Sequence, residues 1–240
     1  MPRFYILIRK GTKVPEFQNV KDLGDFVLYY LFYQMDTFTT VTFPDLVTIT
    51  GNSAMGNSFA YSKIEAITFP KLSSITGARG LDQTFQDCSN LTAITFPSLT
   101  TISGNSAIYA AFYNCKNLTS IAFPELTTVT GPYALRAAFS YCGLTNVVFP
   151  KLNNLIASQA FNEAFYSCKS LVSLSFPALK SDSFGTRATD QFKNMLSGGV
   201  TGCIVHFPSN LQSVIGSWSD ITNGFGGTNT TVLFDLPATS

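Results

Sequence analysis

The feature that most constrains the fold of this chain is a proline that returns at nearly constant spacing. Eight prolines are separated by 29, 26, 27, 27, 26, 27 and 31 residues, and phenylalanine precedes each of the last seven: Pro15, Pro44, Pro70, Pro97, Pro124, Pro150, Pro177 and Pro208. A fixed period of this length is typical of stacked units that bury their apolar faces against one another. We therefore expect one elongated solenoid of about 7–8 coils of 26–27 residues within the 240-residue chain.

The charge composition limits the classes of partner. Only 12% of the residues are charged, 15 Lys and Arg stand against 14 Asp and Glu, and no segment concentrates either sign. Nucleic acid is not expected as a partner, because binding to phosphates requires a basic surface. The apolar run at residues 4–8 is too short to span a bilayer or to form a signal-peptide core. We therefore expect neither membrane insertion nor an export signal in this chain.

The residues between the prolines also follow a template. An apolar residue stands two positions, and usually another five positions, after each of the first seven prolines, as Phe17 and Val20 do after Pro15. Position seven is glycine in four repeats, and we expect a turn with positive φ there: Gly51, Gly77, Gly104 and Gly131. These positions predict that every coil bends at the same place.

Two further parts of the template predict secondary structure. Apolar residues recur at spacing i, i+4, i+7, as in Leu81, Phe85 and Cys88, and this spacing predicts a short helix. The motif Leu-x-x-Ile-x-Phe-Pro follows, and its alternation predicts a strand in which Ile94 and Phe96 point inward. We therefore expect an α/β solenoid with a parallel β-sheet on one face and short helices on the other.

The repeated order Leu-x-x-Ile-x-Phe-Pro-x-Leu-x-x-Ile, then Gly, then Phe-x-x-Cys, resembles the leucine-rich repeats of the BspA type. The resemblance covers residues 12–215 and implies a single leucine-rich repeat domain over residues 1–240. Residues 1–14 would form an N-terminal cap, 15–215 the repeats, and 216–240 a C-terminal cap with a closing strand near residues 231–234. Caps are expected because the end coils otherwise expose a sheet edge.

Because repeats of this type occur in many bacterial surface proteins and adhesins, the resemblance implies a non-enzymatic scaffold that binds a protein or a glycan. It also implies a cell-surface or extracellular location. A second class stays open, namely a structural or assembly component of a phage-like or other bacterial particle. The missing export signal and the unpaired cysteines favour this alternative, and the sheet edges would offer a route to self-association.

Candidate catalytic and metal-binding residues are few. His206 is the only histidine, so a Ser-His-Asp or Cys-His catalytic group would have to include it, and we interpret it as a surface residue. Four cysteines follow the repeat period and are expected to be packed free thiols: Cys88, Cys115, Cys142 and Cys168. Cys203 is out of register and is expected to be the most exposed. We therefore predict no enzyme activity, no cofactor and no metal site.

Candidate partner-binding residues lie on two faces. Tyrosines in or beside the expected helices would offer a patch on the convex side: Tyr61, Tyr109, Tyr113, Tyr141 and Tyr166. The outward strand positions form a smooth sheet of small residues, and Thr68, Thr95 and His206 are its candidates. Tyrosine is enriched among residues that dominate protein interfaces, so the convex side is favoured. The alternative that the tyrosines only shield the core stays open.

Overall fold

The computed structural model describes residues 17–37, 39–185 and 190–239. Nine phenylalanine rings lie in one row, with neighbouring ring centroids 4.1–5.8 Å apart: Phe17, Phe43, Phe69, Phe96, Phe123, Phe149, Phe176, Phe207 and Phe234. The nine rings mark eight turns of a solenoid, as the repeat predicted. Burial of each ring contributes roughly 1.5–3 kcal/mol, so this row is a main source of stability.

Most coils contribute two strands. The first strands lie just before the row phenylalanine or include it: β2 (Thr40–Thr42), β4 (Ala66–Thr68), β6 (Ala93–Thr95), β8 (Ser120–Ala122), β10 (Asn146–Val148), β12 (Ser173–Ser175), β13 (Ile204–Pro208) and β14 (Thr231–Leu236). The second strands have two residues each: β1 (Asp22–Leu23), β3 (Thr48–Ile49), β5 (Ser74–Ile75), β7 (Thr101–Ile102), β9 (Thr128–Val129) and β11 (Asn154–Leu155).

All paired strands are parallel. Partners are 26 or 27 residues apart, except that β12 and β13 are 31 apart and that Pro208 pairs with Leu236, 28 residues on, after a register shift in β13. The first strands form the groups β2–β4, β6–β8 and β10–β12–β13–β14, and the second strands form one sheet in the order β1-β3-β5-β7-β9-β11. In β6, Ile94 is buried while Ala93 and Thr95 are exposed, as predicted. The second sheet was not predicted, because two-residue strands show no alternation.

The third side of the coils consists of turns, and we call it the turn face. Its segments are residues 26–35, 53–62, 79–88, 106–115, 133–142 and 159–168. The short helices expected there are absent from these segments. Instead, every fourth residue has a left-handed backbone, as at Tyr133, Ala137 and Tyr141, with φ of 56°, 51° and 61°. An α-helix does not contain such residues.

The spacing i, i+4 was interpreted as helical because a turn repeating every four residues also returns side chains to the same side. The inward side chains are therefore as predicted, and Leu135 and Phe139 are fully buried. Among the described residues, the helices are short and lie outside these segments: α1 (Gln212–Ile215), α2 (Ser219–Thr222) and three 3-10 turns at Ser181–Phe184, Ser209–Leu211 and Gly224–Gly226.

Hydrogen bonds on the turn face alternate between two kinds. The Ala137 N–H donates to the carbonyl oxygen of Asn162 in the next coil at 2.9 Å, whereas the Ala138 N–H donates to Leu135 in its own coil at 3.1 Å. The same alternation recurs in the other turn-face segments. Neighbouring coils are thus hydrogen-bonded on the turn face as well as in the sheet of second strands, whereas the first strands pair only within their three groups.

The repeated glycines do not have positive φ, so that prediction was wrong. They are required because the coils approach closely: a Cβ on Gly104 would lie 2.1 Å from the carbonyl oxygen of Gly77. Left-handed glycines occur instead in the insertion before β13, where Gly198, Gly199 and Gly202 have φ of 80°, 88° and 67°. The shape of the bend, repeated from coil to coil, therefore comes from close backbone contact rather than from a special turn.

The first coil begins in a different register from the one predicted. Phe17 stacks on Phe43, with ring centroids 4.1 Å apart, so it occupies the row position and not the position two after a proline. Leu23 pairs with Ile49, so Leu23 and not Val20 takes the inward position of the second strand. The prediction from Pro15 was wrong by three residues, because Pro15 lacks the preceding phenylalanine whose stacking sets the register.

The expected closing strand is β14, which pairs with β13. Its Phe234 stacks on Phe207 at a centroid distance of 5.8 Å, so the row continues beyond the last Phe-Pro pair. The division into caps and repeats stays a prediction, and its residues 1–14 lie outside the described part of the chain.

Candidate partner-binding surface

Three of the five candidate tyrosines lie together on the turn face. The ring of Tyr141 contacts those of Tyr113 and Tyr166, with centroids 5.1 and 5.4 Å apart and ring planes inclined by 64° and 58°. The hydrogen bond between Tyr166 and Tyr141 raises the pKa of Tyr166. Tyr141 is exposed and the other two are half-buried. We call these three residues the central tyrosine cluster, and their mutual contacts hold the rings in place.

Tyr61 belongs to a second aromatic group, which we call the N-terminal aromatic patch. Its neighbours are exposed residues of the first coil: Phe26, Tyr29, Tyr30 and Tyr33. Consecutive ring centroids lie 4.7–5.6 Å apart. The sequence analysis missed these four residues because it considered only the inward face of this segment. The signal was a run of eight consecutive apolar or aromatic residues at 26–33, more than one buried face can accommodate.

Polar side chains connect the two aromatic groups. Gln86 Nε2 donates to Tyr61 Oη at 2.9 Å and to Asp87 Oδ2 at 3.0 Å, and Asn114 Nδ2 donates to Asp87 Oδ1. Burial, and then the charge of Asp87, raise the pKa of Tyr61. Asn114 directly follows Tyr113 of the central tyrosine cluster in the chain. We call the patch, these polar residues and the cluster together the turn-face strip.

Tyr109 lies beside the strip and contacts a charge. The guanidinium carbon of Arg136 is 5.7 Å from the ring centroids of both Tyr109 and Tyr133. Arg136 Nε is 3.9 Å from Glu163 Oε2. Sequence reasoning missed Arg136 and Tyr133, because only the left-handed turns bring one coil's arginine between these two rings. A cation between aromatic rings is held by the negative potential of their faces.

Asp82 is a mostly buried carboxylate on the same side of the protein. Its Oδ1 has no hydrogen-bond partner among the described residues, and Arg79 Nη1 is 3.9 Å from Oδ2. Burial raises the pKa of Asp82 to about 6, although the charge of Arg79 acts in the opposite direction. The group therefore titrates near neutral pH.

Thr68 and Thr95 lie away from the tyrosines, on the side of the first strands. They line a groove of about 360 Å³ between β4 and β6, which belong to different hydrogen-bonded groups. Thr68 Oγ1 donates to Thr42 Oγ1 at 2.8 Å. The lining contains no charged side chain. The groove therefore offers little basis for specific recognition.

His206 contacts a carboxylate in the next coil. Its Nδ1 lies 2.9 and 3.0 Å from the two carboxylate oxygens of Asp235. Ser175 is the strand partner of His206 on the other side. Within the described residues, however, no hydrogen bond joins the Ser175 hydroxyl to the imidazole, so a serine nucleophile and its base are not assembled. We interpret the His206–Asp235 contact as a link between β13 and β14.

The cysteines are buried and free. The four periodic thiols each donate to a phenylalanine carbonyl of the preceding coil, at 2.9–3.1 Å. Burial raises the pKa of Cys88 to about 11 and those of Cys168 and Cys203 to about 12. The exposure predicted for Cys203 was wrong, because it stands two residues before the inward Val205 and the alternation of the strand turns it inward as well.

Two further lysines are paired with carboxylates of the neighbouring coil. Lys71 Nζ is 2.8 Å from Asp45 Oδ1, and Lys151 Nζ is 2.7 Å from Glu125 Oε2. The described segments contain no group of three His, Cys, Asp or Glu side chains that could hold a metal ion. In the same segments, no helix has the length and apolar character needed to cross a membrane.

Stacked coils with two parallel sheets and a turn face define a repeat solenoid. A family model described as "BspA type Leucine rich repeat region" matches residues 17–136 and 135–197, with six copies of the repeat. The chain therefore belongs to the BspA-type leucine-rich repeat family.

Two further comparisons were made. No curated protein matches the chain. Among solved structures, a leucine-rich repeat protein from Bacteroides ovatus is similar to it, with 17% sequence identity and a TM-score of 0.36. The match covers 82% of this chain and 66% of that structure's chain, so this protein spans just under two thirds of the other's length.

Proposed function

We propose that this protein is a non-enzymatic binding scaffold whose turn-face strip recognises a partner protein. The observation that carries the proposal is the central tyrosine cluster, in which Tyr113, Tyr141 and Tyr166 are partly exposed and contact one another. Tyrosine and arginine dominate the energetics of protein interfaces, and both occur on this side of the solenoid. In the described strands β2 to β12, the outward positions hold small uncharged residues and no tyrosine or arginine.

The geometry of the strip supports recognition with a small entropic cost. Rings that already contact one another lose little side-chain freedom when a partner covers them. The aromatic groups are separated by the polar residues Gln86, Asp87 and Asn114, so the strip alternates apolar contact with hydrogen-bonding groups. This combination favours a protein surface of mixed character over a purely apolar one.

A binding array tests the proposal. The wild type, a triple variant with Tyr113, Tyr141 and Tyr166 changed to Ala, and a control variant T68A/T95A are applied to immobilised extracellular matrix and serum proteins and to a glycan array. We expect wild type and control to bind at least one protein, and the triple variant to lose that binding while retaining its thermal midpoint within a few degrees.

Three outcomes would contradict the proposal. The first is that the wild type binds none of the proteins on the array. The second is that the triple variant binds as strongly as the wild type. Binding to glycans alone, abolished in the triple variant, would assign the strip to the other class of ligand. Display at a bacterial cell surface remains a separate proposal from the family resemblance, which surface proteolysis of the producing cells would test.

A further inference from the structure

Arg136 is held in an unusual position on the turn face. Its guanidinium carbon lies 5.7 Å from the ring centroid of Tyr109 in the preceding coil and 5.7 Å from that of Tyr133 in its own coil. Interactions with two ring faces restrict the side chain without using its N–H groups. The arginine is therefore partly ordered before any ligand arrives, and its side chain is still 44% exposed.

The hydrogen-bonding capacity of this guanidinium is unused. An arginine side chain carries five N–H donors. The carboxylate paired with it, Glu163 Oε2, is 3.9 Å from Nε, which is beyond hydrogen-bond distance. Throughout the described part of the chain, the Arg136 side chain makes no hydrogen bond. By contrast, the lysines of the cross-coil pairs, Lys71 and Lys151, already bond to carboxylates at 2.7–2.8 Å.

The geometry points to a carboxylate-binding subsite at Arg136, which takes the side chain of an Asp or Glu on the partner protein. The planar fork of a guanidinium matches the two oxygens of a carboxylate, and the two tyrosine rings beside it supply apolar contact for the methylene groups of an acidic side chain. This subsite rests on the proposed function and names the chemical class of group that the partner must present.

Glu163 has a defined role in this arrangement. Its carboxylate is close enough to attract Arg136 electrostatically but too distant to satisfy the donors. It therefore competes weakly with an incoming carboxylate. Removal of its charge should strengthen binding of an acidic ligand, which is the opposite of what loss of a ligand-contacting residue does.

The test uses small probes that need no knowledge of the partner. N-acetylglutamate amide and the isosteric neutral N-acetylglutamine amide are titrated into ¹⁵N-labelled protein at constant ionic strength, and the amide signals of residues 133–137 are followed. We expect a saturable shift with the glutamate probe alone. R136K should abolish it, because lysine lacks the planar fork. E163Q should bind about two- to fivefold more tightly, the factor that removal of an exposed competing charge provides.

Each other result overturns the subsite. Equal shifts with both probes would show that the site has no preference for a carboxylate. An unchanged shift in R136K would show that the Arg136 guanidinium does not bind the probe. Weaker binding of the probe to E163Q would show that Glu163 supports binding and does not compete with the probe. Glucuronate binding more than tenfold tighter than the glutamate probe would assign the subsite to acidic sugars. The triple tyrosine variant could lose binding on the array while the wild type binds neither small probe. That result would leave the proposed function intact and refute the subsite alone.

Discussion

Replacement of Ala137 by glycine should stabilise the protein, although glycine is normally the weaker residue in regular structure. Ala137 has φ of 51°, which costs an L-residue about 1–2 kcal/mol and costs glycine almost nothing. Glycine in turn makes the unfolded chain more flexible, at a cost of about 0.4–1 kcal/mol. The difference is a gain of roughly 0.5–1 kcal/mol. Because 1 kcal/mol shifts Tm by about 2–4 °C in a chain of this size, Tm should rise by about 1–4 °C.

The matched control is the neighbouring residue. Ala138 is fully buried and is not among the residues with positive φ. A138G should cost about 1–2 kcal/mol, from glycine's flexibility and from the loss of one buried methyl group. Urea denaturation followed by circular dichroism measures both variants. If A137G lost about 1 kcal/mol as glycine does within a helix, the assignment of left-handed turns would be refuted.

Three other changes test separate parts of the structure. G104A should lower the stability by about 1–3 kcal/mol, since the new Cβ would meet the Gly77 carbonyl oxygen at 2.1 Å, whereas G24A, whose nearest atom is 4.0 Å away, should be nearly neutral in the same melt. At pH 8 a thiol reagent should modify no cysteine of the native protein and all five after unfolding, because about one Cys88 thiol in a thousand is ionised when its pKa is about 11 and the group is buried; a fast-reacting native thiol would contradict this. The pKa of Asp82 is raised in the folded state to about 6 from an ordinary 3.8, so the stability that this group contributes is present below about pH 4 and is lost as the pH rises through 6. D82N should therefore stabilise the protein at pH 8 but not at pH 4, and an identical gain at both values would count against the assignment.

The inward-facing positions could be predicted from the sequence because they depend on spacing alone. The Phe-Pro pairs identified the row of rings, and the stacking of Phe96 on Phe123 at 5.2 Å follows directly from the repeat period. The cross-coil pair of Lys71 and Asp45 follows for the same reason, because equivalent positions of neighbouring coils lie side by side.

The backbone conformation between those positions could not be predicted in the same way. A turn that repeats every four residues and a helix with 3.6 residues per turn bury the same residues over two turns, so Leu135 and Phe139 fit both. Non-glycine residues with positive φ carry no distinct sequence signal, and Tyr133 and Ala137 are not typical of that conformation.

The sequence predicted which tyrosines belong to the candidate site, but it did not predict which of them contact one another. The tyrosines of the central cluster were identified by residue type, and their contact required the backbone of the turn face. Arg136 was missed because its significance comes from two rings, one of which, Tyr109, is 27 positions away in the chain. Residue type suggests a hot spot, whereas the packing between coils decides which residues act together.

The hydrogen bonds between neighbouring coils, on the turn face and in the sheets, have a mechanical consequence. When the two ends of the chain are pulled apart, the load falls on the coil at one end, and its bonds to the next coil must break almost together. The solenoid should then lengthen in repeated steps rather than in one event, each step releasing a coil of 26–27 residues and adding about 90 Å of contour length. A stretched molecule would therefore dissipate mechanical energy one coil at a time, while most of the turn face stays folded.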